Sequence, residues 1–293
     1  MTVAFTVLQI VAPVFLLAAI GFVWVRLGLE YDTAFVSRLA MNLAVPCLVF
    51  VALAEGGIEA ESAGRLTLAA LAAYGAVLLV FLALCLLLGL DRRTYWAPLA
   101  FGNTGNLGLP LALLAFGETG LGYAVVVFSV TSILQFSLGV WIVSGGGNPA
   151  RALREPMVAA TLLGALFLWQ GWAVPELALN ALGLVGQMAI PLMLLTLGVA
   201  IARMRLAAFG PVAVLSVVKL AGCAAIAWTV GRAFALEEVQ LAVLTVQLAT
   251  PVAVTSYLLA VRYGAEAEPV AGLVVVSTLM SVAALPALLA LFV

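Results

Sequence analysis

Apolar runs of about twenty residues, separated by short polar turns, recur along the whole chain. A helix needs about 20 such residues to cross the hydrocarbon of a bilayer. Counted this way, the pattern predicts ten spans, at roughly 3–25, 34–54, 66–89, 95–116, 121–143, 157–174, 178–202, 211–234, 239–262 and 270–293. The longest polar interruption, SGGGNPARALREP at 144–156, divides them five and five. The expected class is an all-α polytopic membrane protein. A first five-helix repeat occupies 1–143, a cytoplasmic connecting loop 144–156, and a second five-helix repeat 157–293.

Residue matches between the halves support a duplication. Asn42-Leu-Ala-Val-Pro46 in span 2 reads like Gln187-Met-Ala-Ile-Pro191 in span 7, an offset of 145. Phe116-Gly117 matches Tyr263-Gly264 at an offset of 147, which also places Thr131 on Thr278 and Asn103 on Thr250. An odd number of spans per half makes the two halves insert in opposite senses, the inverted-repeat plan of secondary transporters.

One stretch breaks the apolar pattern: FGNTGNLGLPLALLAFG at 101–117. Gly102, Gly105 and Gly108 each weaken a helix by about 1 kcal/mol relative to alanine, and Pro110 removes a donor. An unpaired backbone group in lipid costs several kcal/mol, so the stretch must be buried in protein or line a polar cavity. Asn103, Thr104 and Asn106 can then bond freed backbone and present polar groups to a substrate. Span 9 repeats the interruption with Gln247-Leu-Ala-Thr250-Pro251, followed by Thr255 and Ser256. Interrupted helices at equivalent places in two halves point to a midplane binding site. Half-helices restarting near Pro110 and Pro251 would turn free N–H groups and positive dipole ends toward an anion, a carboxylate in particular. The competing reading makes the glycines a tight helix-packing face.

Composition narrows the function. The 293 residues are 66% hydrophobic and 9% charged, with a net charge of −1 and no histidine. That balance excludes a nucleic-acid partner and leaves no usual metal ligand or general base. Cys47, Cys85 and Cys223 sit far apart in apolar runs and read as buried hydrophobes. No metal or cofactor is called for, and no phosphate-binding loop of a primary pump is present. The first apolar run lacks a basic leader and exceeds a signal-peptide core, so it is expected to remain as a span. Nine arginines (26, 38, 92, 93, 151, 154, 203, 205 and 262) fall in odd-numbered loops or their flanks, against Arg65 and Arg232 in even ones. The bias predicts cytoplasmic odd loops and both termini outside. Trp24, Trp96, Trp141, Trp169 and Trp172 near span ends agree with these boundaries.

GNTGNLGLPLALLAFG, the run LATPVAVTSYLLAVRYG at 248–264 and the paired proline motifs of spans 2 and 7 together resemble the auxin efflux carrier family. This family includes the plant PIN proteins and bacterial permeases, some named for malonate transport. The resemblance covers essentially the whole chain and is specific in spans 4, 5, 9 and 10. It implies a ten-helix inverted repeat whose fourth and ninth helices cross at unwound centres. It also implies a transport group that moves against a scaffold like an elevator, and organic-anion substrates. The chain departs from the family in span 9, where Thr250-Pro251-Val252 has no asparagine nearby.

All thirteen acidic residues fall in loops or at span ends. Lys219, in VLSVVKLAGCAA, is the ionisable group well inside a span, and a charge there costs on the order of 3 kcal/mol. It can act as a fixed counter-charge beside the crossover or exchange a proton during the cycle. Alternatively, it simply bonds backbone carbonyls or snorkels to an interface. Tyr74, at an offset of 145, is its candidate partner. Thr131 and Gln135 lie about one turn apart on one face of span 5 and are candidate site residues, as are Thr250 and Pro251. Asn42 and Gln187 are expected to satisfy carbonyls freed by Pro46 and Pro191, and Glu118 to be solvated. The reading is a secondary carrier of a small organic anion embedded in the lipid bilayer. The alternative is a non-transporting ligand sensor of the same fold, although the ten spans leave no soluble domain to receive a signal. An intramembrane enzyme lacks its nucleophile and acid pair. The surfaces of spans 2 and 7 offer a homodimer contact.

Overall fold

The computed structural model describes residues 3–55, 59–146, 156–203 and 209–292. Most of the expected connecting loop, with Arg151 and Arg154, lies outside the described residues, as does Arg205. The elements of the described chain are all helices, and one isolated antiparallel bridge joins Gly102 and Val252.

The first helices are α1 (Val3–Arg26), α2 (Thr33–Leu39), a π-helical turn at Ala40–Ala44, α3 (Val45–Glu55) and α4 (Ala60–Leu87). They are followed by α5 (Arg92–Ala100), a second π-helical turn at Thr104–Gly108, and α6 (Leu109–Leu134). A third π-helical turn at Gln135–Gly139 leads to α7 (Val140–Ser144). Then come α8 (Pro156–Gln170), α9 (Glu176–Gln187), α10 (Ala189–Arg203), α11 (Phe209–Ala233), α12 (Glu238–Leu248), α13 (Val254–Tyr263) and α14 (Ala267–Leu289). Among the described residues, six helical stretches are long and apolar enough to cross a membrane: Thr33–Glu55, Ala60–Leu87, Thr104–Ser144, Glu176–Arg203, Gly210–Ala233 and Ala267–Leu289. Thr104–Ser144 is too long for one crossing. Gly117, at φ 65° and ψ −158°, kinks it and divides it into two helices, a conformation only glycine adopts without strain.

Two groups of helices are visible in the packing. Helices α1, α2, α3, α8, α9 and α10 pack on one another, as do α4 to α7 with α11 to α14, and the groups meet chiefly along α6. The α1–α10 pair is the tightest. A Cβ on Gly21 would overlap the Leu195 carbonyl, and one on Gly198 would overlap the Ala18 carbonyl, so the two backbones touch. Without a hydrophobic force between helices in lipid, such close approach is the main source of association.

Arg93 closes one end of the second group. Its Nε donates to the Val143 carbonyl at 3.0 Å and its guanidinium to the Tyr263 carbonyl at 2.8 Å, tying α5 to the ends of α7 and α13. Beside it, Asp91 caps α5 by accepting from Thr94 N at 2.9 Å and from the Thr94 hydroxyl at 2.6 Å. The Thr94 hydroxyl bond is the main reason the Asp91 carboxyl lies below its ordinary value, with the backbone bonds adding to it. A depressed carboxylate contributes stability above its unfolded pKa and loses it as pH falls through the folded one. Asp91→Ala is therefore expected to cost about 1 kcal/mol at neutral pH. The difference from wild type should shrink in acid, as read by melting temperature across pH.

Candidate site at the crossed helix breaks

Both interrupted spans break, and each break satisfies part of the other. After α5 the chain leaves the helix at Phe101, which is extended, and stays non-helical through Asn103 before the π-helical turn begins at Thr104. After α12 it is non-helical from Ala249 to Ala253. The two segments cross antiparallel. Asn103 N donates to the Pro251 carbonyl at 2.7 Å, and Ala253 N to the Phe101 carbonyl at 3.4 Å. Val252 N donates to Ser277 Oγ at 2.9 Å. Backbone freed from two helices thus becomes a short ladder, the arrangement that keeps irregular chain tolerable at membrane depth.

The breaks lie away from the prolines that announced them. Pro110 is the second residue of α6, directly after the π-helical turn, and the restart comes earlier, at Thr104. On the other side the restart is at Val254, beyond Pro251. The glycines serve close approach. A Cβ on Gly102 would overlap Thr250 Oγ1, and one on Gly108 would overlap the Gln247 amide. A Cβ on Gly105 would lie 2.9 Å from the Phe128 ring and 3.1 Å from Met193.

A cavity of about 50 Å³ lies against the crossover. Asn103, Thr104, Asn106, Ser132, Gln135 and Thr255 supply its polar wall, and Met41, Phe128, Phe136, Met193 and Val254 much of its apolar one. The starts of two helical segments, Thr104–Gly108 and α13, therefore border one small space. Asn103 is 5% exposed, and its Nδ2 has no hydrogen-bond partner among the described residues. Gln135 Nε2 donates to Thr255 Oγ1 at 2.7 Å, which braces the opposite wall.

The candidates separate by position. Asn103, Thr104, Asn106 and Gln135 come together at the cavity. Thr131 does not join them: its Oγ1 lies 2.7 Å from the Tyr74 hydroxyl and 2.8 Å from the Val127 carbonyl. Tyr74 is thus partnered by Thr131 and stacked on Phe101, with ring centroids 6.0 Å apart, and is not the hydrogen-bond partner of Lys219. Thr250 sits behind the crossover, its hydroxyl donating to the Gln247 carbonyl at 2.6 Å, and Pro251 contributes its carbonyl to Asn103. Lys219 is fully buried and donates to the carbonyls of Leu248, at 3.2 Å, and Thr250. Asn42, in the first π-helical turn, and Gln187 are exposed, and Pro46 is half-buried. Gln187 and Pro191 border a separate cavity of about 440 Å³ between α3, α6, α9 and α10, beside Glu118. Glu118 is exposed, as expected.

Ser132, Met41 and Met193 are wall residues that the sequence did not single out. The signal for Ser132 was present: Phe128, Ser132, Gln135 and Phe136 share one helical face by i, i+3 and i+4 spacing. Met41 and Met193 come from the other group of helices, and nothing local in the sequence carries them there. No cluster of three or more metal-ligating side chains occurs among the described residues.

Comparison with known proteins gives a consistent result. The model of a family described as membrane transport protein matches the chain twice, over residues 6–150 and 146–289. An uncharacterised transporter of Methanothermobacter thermautotrophicus is 26% identical, across 95% of this chain and 96% of its own length. A protein of Rhizobium meliloti named as a candidate malonate transporter is 25% identical, across 96% and 94%. An uncharacterised transporter of Methanocaldococcus jannaschii is 24% identical over 61% of this chain and 62% of its own. With helices that are long and apolar enough to span a bilayer, the protein is an integral membrane transporter. The chain belongs to the membrane transport protein family, that of the auxin efflux carriers which its motifs resemble.

Proposed function

We propose that the protein is a secondary carrier of a small organic anion, binding a carboxylate at the crossed breaks. The observation that carries this reading is the buried Asn103 amide, whose unpaired Nδ2 stands at a cavity bordered by two helix starts. A donor buried without an acceptor costs about 1–3 kcal/mol, and a carboxylate oxygen would satisfy it with a charge-assisted bond. Free N–H groups at the two helix starts add donors of the same sign. The relative named for malonate transport supports a carboxylate as cargo.

The mechanism is alternating access in a ten-span, 5+5 inverted repeat, with repeats at 1–143 and 157–293 joined by a cytoplasmic loop at 144–156. A pair of swapped contacts supports the repeat. Gly21 packs on the Leu195 carbonyl, and Gly164 lies against the Phe50 carbonyl, where a Cβ would be 3.3 Å away. Each pair is related to the other by an offset of roughly 145 residues, as inverted halves require. The hydrogen bonding supports an elevator. Among the described residues the crossover, Arg93 and Gln135 bonds stay within the second group, and Arg203 bonds within the first. A Ser129–Thr161 hydroxyl pair at 3.1 Å joins the groups. An interface with no other hydrogen bond across it among the described residues breaks few bonds when it slides. A cavity of about 50 Å³ is small beside the roughly 300 Å³ at which ligand pockets begin, so loading requires the groups to move. The arginine bias supports both termini outside, and the resemblance to bacterial permeases supports a bacterial inner membrane.

Uptake by proteoliposomes tests the reading. A panel of labelled mono- and dicarboxylates and indole acids is offered under imposed pH or sodium gradients. At least one acid is expected to enter faster than its neutral amide. If no acid in the panel enters above protein-free vesicles, the organic-anion reading fails.

A further inference from the structure

We propose that Lys219 is a tethered counter-cation: its ammonium, held at the broken end of α12, supplies the positive charge of the crossover, so no cation from solution binds there. The inference rests on the organic-anion reading and specifies how that site is charged.

The argument begins with what Lys219 touches. Its side chain is fully buried on α11, and the partners it has among the described residues are two backbone carbonyls, Leu248 and Thr250. Leu248 is the last residue of α12, so its carbonyl belongs to the negative end of that helix's dipole, and the Thr250 carbonyl follows it in the non-helical segment. An ammonium has donors and no acceptor, so it matches a cluster of carbonyls in the way a bound metal ion would. Unwound carbonyls at the midpoint of a transporter are a usual seat for such an ion. Here a side chain of the protein occupies that seat.

Position makes the charge useful. Gly102 lines the cavity beside Asn103, and a Cβ built on Gly102 would lie 3.1 Å from Lys219 Nζ. The ammonium thus stands directly behind the wall that an anion would face. None of the described cavity-lining residues is acidic, and no carboxylate pairs with Lys219 in the described structure. A buried charge without a counter-charge is costly, and an anion entering the cavity relieves that cost. The equivalent position in the opposite half carries no second charge. Tyr74, at the equivalent offset of 145, places a phenol against Thr131 and Phe101. One elementary charge therefore serves the crossover.

The test uses the full chain in detergent, read by melting temperature and by binding of malonate and its neutral analogue malonamide. Wild-type protein is expected to melt at the same temperature in sodium chloride and in choline chloride of equal ionic strength. Malonate should shift it equally in both. A rise in sodium alone, or a malonate shift that requires sodium, overturns the proposal without any mutation. Lys219→Met keeps bulk and removes charge. It is expected to bind malonate at least about tenfold more weakly, one step of 1.4 kcal/mol, with malonamide binding unchanged. A folded Lys219→Met protein that binds malonate as wild type does also overturns it. If the variant does not fold, the wild-type cation comparison decides. If malonate leaves the wild type unaffected in either salt, the carboxylate reading loses that substrate, and the cation comparison in the absence of ligand still judges the tethered charge.

Discussion

Asn103→Ala should lower carboxylate uptake on the order of tenfold to a hundredfold, the worth of one hydrogen bond to a charged group, and leave the protein as stable as before. The two halves of this expectation come from the same geometry. The Asn103 side chain makes no hydrogen bond through Nδ2 in the described structure, whereas its backbone makes several. Its N–H goes to Pro251, and its carbonyl accepts from Leu107 at 3.1 Å and Gly108 at 3.3 Å. Alanine keeps all of these and removes an unpaired buried donor, which is neutral or slightly stabilising. Asn106→Ala, at a half-buried position on the same wall, should reduce uptake less. Initial rates in proteoliposomes and melting temperatures in detergent check both. Wild-type uptake in Asn103→Ala would remove the amide from the site. A large drop in stability would show that the amide holds the crossover together and is not held in reserve for a ligand.

Gly198→Val is expected to be the most destabilising single change, by about 3 kcal/mol or more. Even the first carbon of the new side chain would overlap the Ala18 carbonyl oxygen, and would lie 2.7 Å from Ala18 C and 2.8 Å from Phe22 N. Those atoms belong to the backbone of α1, so no rotamer change relieves the clash and the two helices must separate. Separation also forfeits the Gly21 contact with Leu195 one turn away. Gly75→Ala is the control. It lies mid-helix in α4 with nothing within 4 Å of an added Cβ, and is expected to gain up to about 1 kcal/mol from helix propensity. Thermal unfolding in detergent should separate the two variants. Equal behaviour would mean that α1 and α10 do not pack as described.

Several features were legible in the sequence because they are written in local pattern. Long apolar runs announce membrane helices through the cost of unpaired backbone in lipid. The glycine, asparagine and proline cluster at 102–110 announces a break, since no continuous helix would concentrate such residues there. Asn103, Thr104 and Asn106 follow from that as polar groups beside freed backbone, whereas Gln135 follows from its spacing of one turn from Thr131 on one face of span 5. Thr131 was misplaced by helical phase. It lies one turn before Gln135, yet the face that meets the cavity carries Ser132. Two polar neighbours on a helix point about 100° apart, and only the packed partner decides which of them looks inward.

The tertiary structure alone decided what closes the breaks. Nothing in Thr250-Pro251-Val252 says that its carbonyls will meet Asn103 from one side and Lys219 from the other. Those bonds join residues far apart in sequence, so their existence depends on how two helices cross. Met41 and Met193 reach the cavity for the same reason, through the docking of one helical group on another. The sequence by itself determined that this chain lives in lipid, that it is helical, and that two of its spans give way midway. Which polar groups stand free there for a ligand, and which are consumed in holding the breaks together, was decided by packing, because hydrogen bonds are allotted by distance in space and not by order along the chain.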